Sequence, residues 1–192
     1  LLAKHLESEE KADRPIDFAG LDALPAGLGE VYAANFARAF PAGKEDPLWL
    51  EAKPLIELIA AAREPITETM AAALLVWDEV QQARVLKATA LLFPVREDKF
   101  HVFHKTVVDW LTGEIAEGSS VKERSEVFQV QRADGHATFA TGFVAWLGAK
   151  TDKNEYWLQH GIVHLCRAQG RAGEAAKVYA GDLALLHQRL DA

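Results

Sequence analysis

Cysteine and methionine each occur once in the 192 residues, as Cys166 and Met70. A single thiol cannot close an internal disulfide, which excludes a disulfide-stapled scaffold and fits a reducing compartment. Long apolar runs are also missing. The longest, such as Met70 to Trp77, fall far short of the roughly 20 residues that span a bilayer. The N-terminus lacks the basic-then-apolar order of a signal peptide. A soluble, cytoplasmic protein with no membrane contact is therefore expected. Cations are in deficit, 21 Lys and Arg against 28 Asp and Glu, for a formal charge of −7. That balance argues against a large phosphate-neutralising surface, while leaving room for a local basic patch.

Catalytic patterns are lacking as well. A phosphate loop needs G-x-x-x-x-G-K-[ST] between a strand and a helix, so that backbone N–H groups ring the phosphates. Gly43-Lys44-Glu45 lacks the hydroxyl, and Gly148-Ala149-Lys150-Thr151 has alanine where the glycine before lysine belongs. No G-x-S-x-G elbow occurs, and the carboxylates are scattered over helix surfaces. The chain is not expected to be an enzyme.

What is present is an apolar fraction of 49% with 26% charged residues, enough for one sizeable core or two small ones. The chain opens on Leu1 rather than Met, inside a helical pattern, which suggests a segment of something longer. Leu1 to Lys11 reads as a short charged helix stopped at Asp13-Arg14-Pro15, and Asp17 to Ala26 as a loop that docks leucines. A helix follows from about Gly27 to Phe40, with Leu28, Tyr32, Phe36 and Phe40 on one stripe. Residues 1–45 form the N-terminal connecting helices in this division.

Asp46 with Pro47 opens a helix that reaches about Arg63, kinked or divided at Pro54. Thr67 caps Glu68 to Trp77, and Asp78 caps Glu79 to Leu92. Three helices with tight connections suggest a helix-turn-helix. Leu92-Phe93-Pro94-Val95 and Phe100-His101-Val102-Phe103, separated by Arg96-Glu97-Asp98-Lys99, have the pattern of a hairpin with a four-residue loop. Together these make a winged helix at residues 46–117. Directly after it stands Phe103-His104-Lys105-Thr106-Val107-Val108-Asp109-Trp110-Leu111. Here Val107, Trp110 and Leu111 form a buried helical edge, Thr106 and Asp109 have capping-box spacing, and Gly113 closes the helix. On these grounds His104 sits at a strand-to-helix step, with a local hydrogen-bonding role sufficient to account for it.

Gly118 to Glu126 reads as a linker, and Phe128 to Gln131 as a lone strand-like piece. Asp134-Gly135 then leads into a helix from Ala137 to Leu147. Asn154 to Ala168 and Ala172 to Leu190 form an antiparallel pair of the kind that begins a helical-repeat array, so residues 118–192 are a C-terminal helical domain. The overall expectation is a mainly α fold: a winged helix with flanking helices and a C-terminal antiparallel helical array.

His160 and His164 stand at i, i+4, but Gly161 occupies the place of a zinc peptidase's general-base glutamate, and no third ligand is indicated. Packing or hydrogen bonding is expected of both, and a buried structural thiol of Cys166. Metal binding is not expected. The third helix exposes only Arg84 and Lys87 among Glu79, Gln81 and Gln82, and the wing loop is neutral, so nucleic-acid binding is not expected.

The run from Phe103 to Leu111 resembles the "F-H-K-S-x-x-D-W-L" stretch that follows the NTPase core of NACHT-type signalling proteins bearing ankyrin, WD or tetratricopeptide repeats. Leu24-Pro25-Ala26-Gly27-Leu28 with Tyr32 and Phe36 is similar to their "L-P-x-G-L…Y…F" helix. Pro54-Leu55 to Pro65-Ile66-Thr67 is similar to their "P-L-L-x-x-I…P-L-T" helices, and Asp134-Gly135-His136 with His164-Leu165 to their "G-H…L-A" and "H-L". The resemblance spans nearly the whole chain. It implies a non-catalytic regulatory and interaction segment of a STAND-class NTPase, packing on an upstream nucleotide-binding domain and linking it to downstream repeats. It also implies that His104 touches the diphosphate of ADP or ATP held by the parent protein, with no cofactor in this segment itself. The related plant-type motif reads Met-His-Asp, where this chain has Lys105, and the closer family has Ser where this chain has Thr106. Two alternatives stand beside it: a stand-alone winged-helix DNA-binding module, and a plain helical protein-interaction scaffold.

Overall fold

The computed structural model describes residues 27–102, 104–114, 125–149 and 154–181. Within them lie α1 (Leu28–Ala39), a 3-10 turn (Gly43–Glu45), α2 (Pro47–Ala61), α3 (Glu68–Leu75) and α4 (Glu79–Thr89). Then come β1 (Val95–Arg96), β2 (Lys99–Phe100), α5 (Lys105–Thr112), α6 (Arg132–Ala149), α7 (Glu155–Arg167) and α8 (Ala172–Gly181). Among the described residues the fold is mainly helical with one small antiparallel sheet. No helix among the described residues is long and apolar enough to cross a membrane. The expected helix at Leu1 to Lys11, the loop after it, Phe103, most of the linker and the last turns of the final helix lie outside the described residues.

Among the described residues, four helices begin at an Asp, Thr or Asn whose side chain accepts from an otherwise unpaired N–H of the first turn. Asp46 accepts from Leu48 N, Thr67 from Met70 N, Asp78 from Gln81 N and Asn154 from Trp157 N. Each cap contributes about 1 kcal/mol. The first three are the residues expected to open their helices.

α2 is the centre of the molecule. Nine of its fifteen residues are buried, more than one face can account for, because α3, α4 and α6 all pack around it. It runs unbroken through Pro54 rather than kinking into two helices. The missing Pro54 N–H leaves the Leu50 carbonyl without a helical donor, and Leu50 is 57% exposed, so water can serve that carbonyl. From α2 the packing continues through α6 to α7 and α8, and the buried apolar residues form one connected core from Tyr32 to Ala175.

At the other end, the expected stripe of α1 enters an aromatic cluster. The Phe36 ring lies 5.2 Å from Phe128, 5.5 Å from Trp110, 5.9 Å from Trp49 and 6.0 Å from Phe40. Phe128 and Val130 are buried while Gln129 between them is half-exposed, as the alternation predicts, but they form no strand. Instead Ser125 N and Val130 N donate to Trp110 O and Leu111 O. This segment satisfies carbonyls that the end of α5 leaves open.

The hairpin differs from expectation in its loop. Val95 pairs with Phe100 and Arg96 with Lys99, so only Glu97 and Asp98 make the turn, both at positive φ (52° and 62°). Two left-handed residues are what a tight hairpin turn needs to match strand twist, and Glu-Asp gives no Asn-Gly signal of it. A third segment joins this sheet: Thr67 bridges Lys99, Phe100 N donates to Ile66 O, and Glu68 N donates to Asp98 O. α4 ends at Thr89, one turn before the expected Leu92, and Leu92 N and Phe93 N both donate to Thr89 O.

α6 begins at Arg132, not at Ala137, so Asp134-Gly135 is helix rather than a turn leading into one. The reason is tertiary. A Cβ on Gly135 would collide with the Glu57 carbonyl of α2, so the two helix backbones touch there, and the glycine is needed for approach, not for a turn. The start of α6 is tied to α2 by polar contacts as well. Gln131 N donates to Glu57 Oε1 (3.3 Å), and Arg132 donates to Ala60 O while pairing with Glu114 at 2.6 Å. Burial raises the Glu57 carboxyl above its usual range, and Lys53, 3.5 Å away, opposes that rise.

Gly135→Ala should lower stability by about 2–3 kcal/mol, since backbone rather than a mobile side chain must move; urea unfolding measures this. Val76, the left-handed cap of α3 (φ 54°), is a β-branched residue in a conformation that costs about 1–2 kcal/mol, and it is 86% exposed. Val76→Gly should relieve that strain without losing packing. After the extra chain entropy of glycine, a gain of about 0.5–1 kcal/mol is expected in the same unfolding assay.

Candidate functional site

His104 is the N-cap of α5, a place the sequence pattern assigned to Thr106. An exposed residue in extended conformation, it turns its ring back onto the helix start. Thr106 N donates to His104 Nδ1 (3.3 Å), and Thr106 Oγ1 lies 2.7 Å from the same nitrogen. Thr106 is buried, and its Oγ1 is 2.6 Å from the Tyr32 hydroxyl of α1. Tyr32 is itself packed on Trp110, with ring centroids 5.8 Å apart. The expected anchors Val107, Trp110 and Leu111 are buried, and Gly113 (φ 74°) closes the helix. One edge of the His104 imidazole is therefore committed inward, and nothing among the described residues bonds its Nε2.

Between the end of α2 and the hairpin lies a cleft of about 300 Å³, lined in part by Ile59, Arg63, Ile66, Phe100 and His101. It adjoins the strand that leads to His104, but His104 does not line it.

A second polar cluster is buried in the helical half. His136 Nδ1 and His164 Nδ1 are 2.8 Å apart, and the Tyr156 hydroxyl is 3.0 Å from His164 Nε2. The His164 ring packs against those of Phe139 (4.2 Å) and Tyr156 (5.8 Å), which are themselves stacked on each other at 5.4 Å. The Arg63 backbone near the Tyr156 hydroxyl opposes the rise that burial gives that group. Tyr156 O–H can then donate to His164 Nε2, which places the His164 proton on Nδ1, aimed at an unprotonated His136 Nδ1. Burial is the main cause that lowers both imidazoles, and neighbouring basic side chains, which would repel a charged ring, add to it: Arg167, Arg132 and Arg63 around His136, and His136, His160, Arg63 and Arg167 around His164. His136 falls to about 4 and His164 to about 3.

His160 and His164, although spaced i, i+4, thus serve separate partners, because His160 is half-buried and faces Glu64 at 3.4 Å. Among the described residues no group of three or more His, Cys, Asp or Glu is arranged to hold a metal ion. Cys166 is exposed, not buried, since Leu165 and His164 take the inward positions on that turn of α7. Arg84 on α4 is held by both oxygens of Glu51, at 2.5 and 2.6 Å.

The sequence pointed to His104 but not to its partners. Tyr32 was legible only as one position of an apolar stripe; the signal was its hydroxyl, which a buried tyrosine must satisfy. His136 and His164 lie 28 positions apart, and no local spacing connects them.

Comparison with protein families, with curated proteins and with solved structures finds no match to this chain.

The buried histidines predict an acid-sensitive fold. Their protons bind more readily to the unfolded chain, near pH 6.5, so their contribution to stability is complete above that pH and is lost as pH falls through about 4 and about 3. The melting temperature should therefore decline between pH 7 and pH 5, above the range where carboxylates titrate. Replacing the pair in His136→Leu/His164→Phe should flatten that decline, as read by thermal melts at successive pH values.

Proposed function

We propose that this chain is a non-catalytic regulatory and interaction segment of a cytoplasmic signal-transduction NTPase of the NACHT/STAND class. In this reading α2, α3, α4 and the hairpin form a winged helix that packs on an upstream nucleotide-binding domain, and the helices after it lead to downstream repeats. Its partners are those parts of the same polypeptide and, through them, other proteins. Support comes from the order of three capped helices followed by a hairpin whose second strand also bridges Thr67 ahead of the second helix.

The observation that carries the reading is the condition of His104. It stands at the first step after the hairpin, its inner edge tied to Thr106 and its outer edge exposed beside Lys105. An exposed imidazole N–H next in sequence to an exposed lysine fits an anionic oxygen such as that of a nucleotide diphosphate, which the parent's own nucleotide site would hold. The residues present supply no phosphate loop, so hydrolysis belongs to the parent. Against the DNA-binding alternative stands Arg84, one of the two cations expected to face phosphate, which is neutralised within the chain by Glu51.

Purified residues 1–192 should turn over no ATP above a protein-free blank. In the polypeptide that carries the nucleotide domain, His104→Ala should speed ADP release roughly 10- to 100-fold, the equivalent of a lost hydrogen bond to a charged group, about 1.5–3 kcal/mol. An unchanged ADP off-rate, or an upstream coding sequence without G-x-x-x-x-G-K-[ST], removes the proposal.

A further inference from the structure

We propose that Tyr32 is a positioning residue for His104: through Thr106 it holds the imidazole as the Nε2–H tautomer, so that the exposed edge offers a hydrogen-bond donor to an anionic oxygen and not a lone pair to a metal cation. This rests on the reading of His104 as a phosphate contact, and it adds what sets the chemistry of that contact.

The assignment follows from which groups can only donate. The Thr106 backbone N–H has no acceptor capacity, and it points at His104 Nδ1 from 3.3 Å. Nδ1 must therefore accept, and the ring proton of the neutral imidazole resides on Nε2. The Thr106 hydroxyl lies between two neighbours, 2.7 Å from Nδ1 and 2.6 Å from the Tyr32 oxygen, and it has one proton to give. The consistent pattern is a relay in which Tyr32 O–H donates to Thr106 Oγ1 and Thr106 O–H donates to Nδ1. Both contacts are shorter than the backbone one, so the hydroxyl relay does more to hold the tautomer than the N-cap bond alone.

Tyr32 is suited to that task because its position is imposed from elsewhere. It is only 2% exposed, lies on α1, and is packed on Trp110 of the helix that His104 caps. Its hydroxyl therefore has a fixed direction, set by core packing rather than by the loop that carries His104. Without that donor, Thr106 Oγ1 is free to accept, and the alternative in which Nδ1–H donates to Thr106 becomes reachable. In that form the exposed Nε2 carries a lone pair, which suits a metal and repels a phosphate oxygen.

The test is the imidazole itself, observed in the whole 192-residue chain by long-range proton–nitrogen correlation NMR at a pH where His104 is neutral. The expected result for the wild type is a protonated Nε2 and an unprotonated Nδ1. Tyr32→Phe keeps the ring on Trp110 but should draw the two nitrogen shifts toward each other as the second tautomer is populated. Thr106→Ser retains the hydroxyl and should leave the wild-type signature intact, which a merely structural effect of altering this corner would not do. Equimolar Zn²⁺ should leave the wild-type His104 signals in place.

An Nδ1–H tautomer in the wild type, or shifts unaltered by Tyr32→Phe, overturns the positioning role whatever nucleotide measurements show. A zinc-dependent shift of wild-type His104 overturns the ligand class. A Tyr32-dependent tautomer together with ADP release indifferent to His104→Ala supports the positioning role and removes the nucleotide reading instead.

Discussion

The contact on which the rest of this fold depends is the place where α6 crosses α2 at Gly135. Helices with ordinary side chains at their crossing lie about 8–10 Å apart, with side chains between the axes. Here one residue has no Cβ, and the Glu57 carbonyl occupies the space a Cβ would need. The close approach aligns polar groups as well: Glu57 accepts from Gln131 at the start of α6, and Arg132 reaches the Ala60 carbonyl near the end of α2. Each helix supplies a partner to an otherwise open end of the other.

Other features follow from that crossing. Covered by α6 on one side and by α3 and α4 on others, α2 has little free surface, which explains why a charged residue such as Glu57 is buried within it. Gly142 and Gly161 continue the close packing outward, the first against Leu74 and Trp157 and the second against the Phe143 ring. His136, the residue after Gly135, is buried by the same crossing and meets His164 from α7. The connection after α2 borders that cluster too, through Glu64 paired with His160, whose ring packs on Tyr156. The aromatic cluster around Phe36 lies on the other flank, joining α1, α2, α5 and the segment around Phe128. The two histidine sites are thus contrasting products of one core. At His136 and His164 burial suppresses protonation, whereas at His104 a buried tyrosine and threonine orient an exposed ring.

Helix starts were highly legible. Asp46, Thr67, Asp78 and Asn154 all cap the helices that follow them, because capping is settled by groups within three residues of each other. Apolar stripes were legible for the same reason: Tyr32, Phe36 and Phe40, or Val107, Trp110 and Leu111, are buried as their spacing requires. The misreadings share a cause. Asp134-Gly135 looks like a turn by local rules, Pro54 like a break, and Glu97-Asp98 like part of a longer loop. In each case a partner distant in sequence overrode the local preference: the α2 backbone, the packing around α2, and the pairing of Thr67 and Ile66 with the second strand. Thr106 has capping spacing, yet its hydroxyl is taken by Tyr32 and the cap passes to His104.

By itself the sequence determined where most helices begin, which faces they bury, and that a histidine follows the hairpin. These depend on interactions within one or two turns, whose energies do not change with what lies across the core. Only the tertiary structure decided which polar groups meet. Tyr32 and Thr106 are separated by 74 positions, as are Glu57 and Gln131, and no periodicity relates the members of either pair. Their partners were selected by how closely two helices could approach, which depends on glycines and ring shapes on opposite sides of the core.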